Sequence, residues 1–136
     1  MRTIGIALVA LSVLVGCSAE PPAPTAPAAT APLPYEPVGS KVTLLGEPAT
    51  ICIHGDGWGT NIWAGNANTS CEFVIAVHEE LITGLNATND TVRANLRESI
   101  AVTSPVTGHE YDLHCAPVDE EIISCTGGEG AAVYFY

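Results

Sequence analysis

The sequence predicts an α+β fold: a small two-layer domain in which an antiparallel sheet of about four to five strands packs on one main helix, stapled by two disulfides. Three observations predict it. Short β-rich runs separated by Gly, Pro and Asn clusters recur between Lys41 and Tyr136. One stretch, Thr69 to Gly84, carries the period of an amphipathic helix. Cys52, Cys71, Cys115 and Cys125 fall within that region, an even set of the kind exported domains use as a framework.

The elements follow in chain order. Lys41 to Leu45 and Ala49 to His54 read as strands around a Gly46-Glu47-Pro48 turn cluster. Thr60 to Ala64 reads as a third, after the glycine-rich Gly55-Asp56-Gly57-Trp58-Gly59. Thr69-Ser70-Cys71-Glu72 fits a capping box, in which hydroxyl and carboxylate satisfy free backbone N–H groups. Behind it Phe73, Val74, Val77 and Leu81 share one helical face, opposite Glu72, Glu79 and Glu80, and Gly84 is the stop. Asn86 to Arg97 holds a weaker second helical pattern, with Val92 and Leu96 inward. Ser99 to Ser104, His109 to Cys115, Glu121 to Thr126 and Ala132 to Tyr136 read as strands, with turn chemistry at Pro105–Gly108 and Gly127–Gly130.

The cysteine spacing favours local pairing, Cys52 with Cys71 and Cys115 with Cys125, although crossed connectivities also satisfy the count. A hairpin of residues 111–115 and 122–126 would set Cys115 opposite Cys125. No C-x₂₋₄-C pair suggests a zinc site and no C-x-x-C suggests redox chemistry, so neither a metal nor a cofactor is expected.

Ahead of the domain lie two segments of different character. Residues 1–16 read as an export signal: Arg2, then an apolar run from Ile4 to Val15, shorter than the ~20 residues a membrane-spanning helix needs. The run closes on Leu14-Val15-Gly16-Cys17, which looks like a bacterial lipobox and implies diacylglyceryl transfer to Cys17. Residues 17–39 are the anchor cysteine and a Pro/Ala-rich tether, and residues 40–136 the folded domain. A proline-rich tether favours polyproline II at about 3.1 Å per residue, so twenty residues span roughly 60 Å. The expected location is the cell membrane, lipid-anchored and facing outside the cytoplasm.

Charge narrows the partners. Four basic residues stand against 15 acidic ones, a net charge of −11, and loss of Arg2 with the signal makes it −12. Nucleic acid is therefore not an expected partner, since no basic stripe exists to neutralise phosphates. About 100 residues of domain also exclude a two-domain enzyme.

Candidate chemistry is sparse. His54 with Asp56, and Asp112 with His114, each put an imidazole and a carboxylate two residues apart, on one face of a strand. Their convergence would make a metal or acid/base site; solvated strand ends are the plainer reading. His78 lies inside the apolar arc of the helix, where it is a boundary histidine or a pH sensor. No G-x-S-x-G occurs, and Ser70 belongs to the helix cap, which leaves a small hydrolase as a distant alternative. Trp58 and Trp63 around the glycine-rich turn, with Tyr134 on the last strand, form an aromatic binding patch if they are exposed together, and otherwise core.

Three stretches together carry a resemblance. They are Ala64-Gly65-Asn66 leading to Thr69-Ser70-Cys71-Glu72-Phe73; Ser104-Pro105-Val106-Thr107-Gly108 with Tyr111 and Cys115; and Cys125-Thr126-Gly127-Gly128 before Ala132-Val133-Tyr134. The pattern resembles small exported domains and lipoproteins of mycobacteria and related actinobacteria, and of their phages. Where that pattern has a small or polar residue after Gly-Gly, this chain has Glu129. The resemblance implies a cell-envelope setting and no catalysis. The functional expectation is thus a lipid-anchored binding module with an envelope or phage protein as partner. A prophage-type superinfection-exclusion lipoprotein is the alternative.

Overall fold

The computed structural model describes residues 31–136. The export signal, Cys17 and the tether as far as Thr30 lie outside the described residues. A compact unit runs from Pro32 to Tyr136. Its elements are β1 (Lys41–Leu44), β2 (Glu47–His54), β3 (Ile62–Asn66), α1 (Cys71–Ile82), β4 (Ser99–Thr103), β5 (Glu110–Pro117), β6 (Ile123–Gly127) and β7 (Ala131–Phe135).

All seven strands join one antiparallel sheet in the order β1-β2-β3-β7-β6-β5-β4. This corrects the expected sheet of four to five strands on a main helix: the described residues are mostly sheet, with one short helix. The joint is β7, which pairs with β3 on one side and β6 on the other, so the N-terminal and C-terminal strand groups share one ladder. Its composition suits that central place. Ala132 to Phe135 are buried without alternation, as expected of a strand covered on both faces.

Two apolar clusters result, one on each face. Toward α1 lie Trp63, Val133, Phe135, Leu113 and the helical Phe73, Val74, Val77 and Leu81, with the Trp63 and Phe135 rings stacked at 4.0 Å. On the other face lie Leu44, Ile51, Ile62, Ile122 and Tyr134, with Leu33, Val42 and Tyr136 packed against them. Residues 32–36 take part in the second cluster's edge. Tyr136 Oη donates to the Pro34 carbonyl at 2.6 Å, and His54 Nδ1 donates to that of Glu36 at 2.9 Å. Burial pushes the Tyr136 hydroxyl up to about 12.

Local details depart from the sequence reading in three places. The helix is capped by Ser70, whose Oγ accepts from Phe73 N, while Thr69 turns away to accept the β7 amide of Ala132 at 3.0 Å. The first hairpin turns on Leu45 and Gly46, both at positive φ, and Glu47 already belongs to β2. The second helical pattern does not become a helix. Asn86 Oδ1 accepts the Thr88 amide and hydroxyl, and Asp90 Oδ2 accepts the Asn86 amide, so side chains take the donors that a helix would use. Its inward positions survive, since Val92 is buried and Leu96 packs on the core.

Both disulfides are present, Cys52–Cys71 and Cys115–Cys125. The first ties β2 to the first residue of α1, with Cα atoms 5.1 Å apart. The second joins directly opposed residues of the β5–β6 hairpin. Each closes a short loop, a constraint that contributes about 2–3 kcal/mol in the chain-entropy account.

Candidate functional site

The two His/Asp pairs do not meet. His54 ends β2, whereas Asp112 and His114 are on β5, and three strands (β3, β7 and β6) lie between. Asp112 and His114 point outward from the sheet and are exposed. The aromatic patch is not assembled either. Trp63 faces the helix-side core and Tyr134 the opposite cluster, both buried, because they occupy alternate faces of paired strands. Tyr134 Oη donates instead to Glu47 Oε2 at 3.1 Å, and burial, then that carboxylate, raises its pKa. Trp58 is half-buried and packs on the helix-side core.

Asp56, the one member of those pairs that reaches the interior, organises the β2–β3 loop. Its side chain is fully buried. Trp58 N donates to Oδ1 at 2.8 Å; the Thr60 hydroxyl and Trp63 Nε1 (2.9 Å) donate to Oδ2. His78 stands over the Trp63 ring at 4.8 Å, with Nε2 3.6 Å from Asp56 Oδ2 and no hydrogen-bond partner. Burial pushes the Asp56 carboxyl up, but His78, Thr60, Trp58 N and Trp63 together outweigh it and hold the carboxyl at about 2. An ionised, fully donated-to carboxylate is a structural tie: it fastens a glycine-rich loop and the indole of Trp63 beneath the helix.

A cleft of about 330 Å³ lies at the other end of the strands. It is bounded by the start of α1, the β4–β5 turn and the β6–β7 turn, with Asn68, Ser70, Phe73, Thr107, Tyr111 and Glu129 among its walls. Each wall has a local cause. Asn66 Oδ1 accepts from Asn68 N at 3.1 Å and from the Thr69 hydroxyl at 2.8 Å, and its Nδ2 donates to Gly130 O at 2.9 Å, which locks the β3 exit to the β6–β7 turn. Ser104 is buried, and its Oγ accepts from Val106 N and Thr107 N at 3.3 Å each, which shapes the Ser-Pro-Val-Thr-Gly turn.

The Gly-Gly pair serves the same place. A Cβ on Gly127 would strike the Asp112 carbonyl oxygen. Gly128, at φ +56, lies under the Tyr111 ring, where a Cβ would sit 2.8 Å from Cδ1. Tyr111 is thereby laid against the turn, edge-to-face with Phe73 at 5.7 Å, and its hydroxyl is 3.3 Å from Thr107 Oγ1. Phe73 is the buried floor, while Asn68, Thr107 and Glu129 are exposed on the rim.

Three separate stretches of sequence, around Asn68–Phe73, Ser104–Tyr111 and Gly128–Ala131, therefore meet around one cleft. Sequence reasoning named Ser70 only as a cap and Tyr111 only as part of a strand. It singled out neither Thr107 nor Glu129 for a site. The signals available there were the capping box at Thr69–Glu72 and the turn chemistry at Pro105–Gly108 and Gly127–Gly130, none of which says that the three meet. Comparisons with protein-family models, curated proteins and solved structures find no match.

Proposed function

We propose that this chain is a lipid-anchored binding module at the outer face of the cell membrane, without chemistry of its own, and that the cleft is its ligand seat. The observation that carries the reading is the convergence of three structured turns on that cleft. Its walls offer hydroxyls, an amide, a carboxylate and an aromatic ring, groups suited to holding a ligand. Its volume is at the lower end of those of small-molecule pockets, and its open rim also suits one side chain of a larger partner. Two disulfides favour an oxidising compartment. Leu14-Val15-Gly16-Cys17 supports an acylated Cys17, and two or three acyl chains make a stable anchor because each buried CH₂ contributes roughly 0.8 kcal/mol.

Replacing Cys17 with Ser tests the anchor in the native host. Wild-type protein is expected in the membrane fraction with incorporated palmitate, and Cys17→Ser protein in the soluble fraction without it. Equal labelling and membrane retention of the two would overturn the anchored reading.

A further inference from the structure

We infer that the cleft takes a cationic group, a guanidinium or primary ammonium carried by the partner; the inference rests on the binding-module reading and names the ligand chemistry of that same seat. Glu129 is the only charged residue on the cleft wall. The basic residues of the described region are all committed elsewhere. Lys41 donates to Thr50 Oγ1 at 2.7 Å, Arg93 to the Glu121 carbonyl, and Arg97 to Glu80. Among the described residues no Lys or Arg lines the recess, so an incoming cation meets the Glu129 carboxylate.

The aromatic geometry points the same way. Tyr111 lies against Gly128 and makes a T-shaped contact with Phe73 at 5.7 Å, and so forms an aromatic wall of the cleft. An ammonium or guanidinium within about 6 Å of such a ring gains cation–π attraction, roughly 0.5–1 kcal/mol at an exposed site. Around it are acceptors for the remaining N–H groups. Thr107 Oγ1 and Tyr111 Oη are 3.3 Å apart on one wall, and the Ser70 hydroxyl stands on another. The chain's net charge of −11 adds long-range attraction for a basic partner and speeds encounter at low salt. An anionic ligand would meet this field with the wrong sign. A neutral apolar one would leave the Glu129 carboxylate unused.

The test uses the full-length lipidated chain, isotope-labelled and held in lipid nanodiscs, titrated with N-acetyl-arginine amide, N-acetyl-lysine amide, N-acetyl-norleucine amide and N-acetyl-glutamate amide. Backbone amide shifts of Asn68, Thr107, Gly128 and Glu129 report occupancy. The two cationic probes are expected to shift these amides saturably, at least fivefold more tightly than norleucine amide, with no response to the glutamate probe. Glu129→Gln, an exposed turn substitution that leaves the fold intact, is expected to weaken the cationic probes at least fivefold. Raised salt is expected to weaken them further. Equal binding of norleucine amide, or unchanged binding in Glu129→Gln, overturns the cationic assignment while leaving the cleft as a binding seat. Shifts confined to the acidic Asp119–Glu121 loop, with the cleft amides silent to every probe, overturn both.

Discussion

Replacing Asp56 with Ala is expected to destabilise the oxidised domain by about 3 kcal/mol, because it leaves the Thr60 hydroxyl and Trp58 N without their acceptor inside the protein. Trp63 Nε1 keeps Thr60 Oγ1 at 3.0 Å, so its indole is the least affected donor. For a small domain whose total stability is of order 5–15 kcal/mol, that loss is large. Asp56→Asn keeps one acceptor oxygen and is expected to cost less. The effect also has a pH signature. The folded-state carboxyl sits at about 2 against an ordinary 3.8, so the ionised form is favoured by folding. The stabilisation, about 2 kcal/mol, is fully present above pH 4 and fades as pH falls toward 2. Urea unfolding of wild type and Asp56→Ala at pH 7 and pH 2.5 should therefore show a gap that narrows in acid. A gap below about 1 kcal/mol at neutral pH would contradict the role of this carboxylate as the tie of the β2–β3 loop.

Gly127→Ala is expected to cost about 3 kcal/mol, the upper part of the usual range for forcing extra volume into a packed site. Its Cβ would collide with the Asp112 carbonyl oxygen and come within 2.9 Å of Leu113 Cδ2. The neighbouring backbone has little freedom to yield. Gly127 is paired with Leu113, and the Cys115–Cys125 bond crosses the same hairpin two residues further on. Urea unfolding at pH 7 measures the loss, and amide exchange should rise first along β5 and β6. An unfolding free energy within about 1 kcal/mol of wild type would show that the hairpin can open around a methyl group.

These two positions also show what could be read from the chain and what could not. Helical periodicity placed Phe73, Val74, Val77 and Leu81 on the buried face, and they are buried. The short spacing of the cysteines anticipated both disulfides, because local hairpin and strand–helix neighbours are what short spacing produces. Strand pairing between distant segments is a different kind of information. Nothing in the composition of Ala131–Phe135 says that it pairs with β3 across the 64 residues of chain between them, so the sequence predicts a smaller sheet than the structure has. The same register separates Trp63 and Tyr134, since one step along paired strands puts neighbours on opposite faces, and the core reading of Trp63 is the one the fold realises. Spacing along the chain pairs Asp56 with His54. In the fold its donors come from its own loop and from Trp63 on β3, and the imidazole beside it is His78 on the helix. The cleft is partly legible: Pro105–Gly108 and Gly127–Gly130 read as turns, but their meeting with the start of α1 depends on the β7 insertion that brings the Gly127–Gly130 turn beside Asn66 and Asn68.

The claim that the cleft is where this protein meets its partner is tested most directly by position-specific photo-crosslinking of the lipidated chain in its native host. One photoreactive side chain replaces Thr107 on the cleft rim, and another replaces Ala101, exposed on the outward side of β4. The account predicts a discrete crosslinked adduct from position 107 and none from position 101. An adduct from position 101 with none from 107, or no adduct from either, would contradict it.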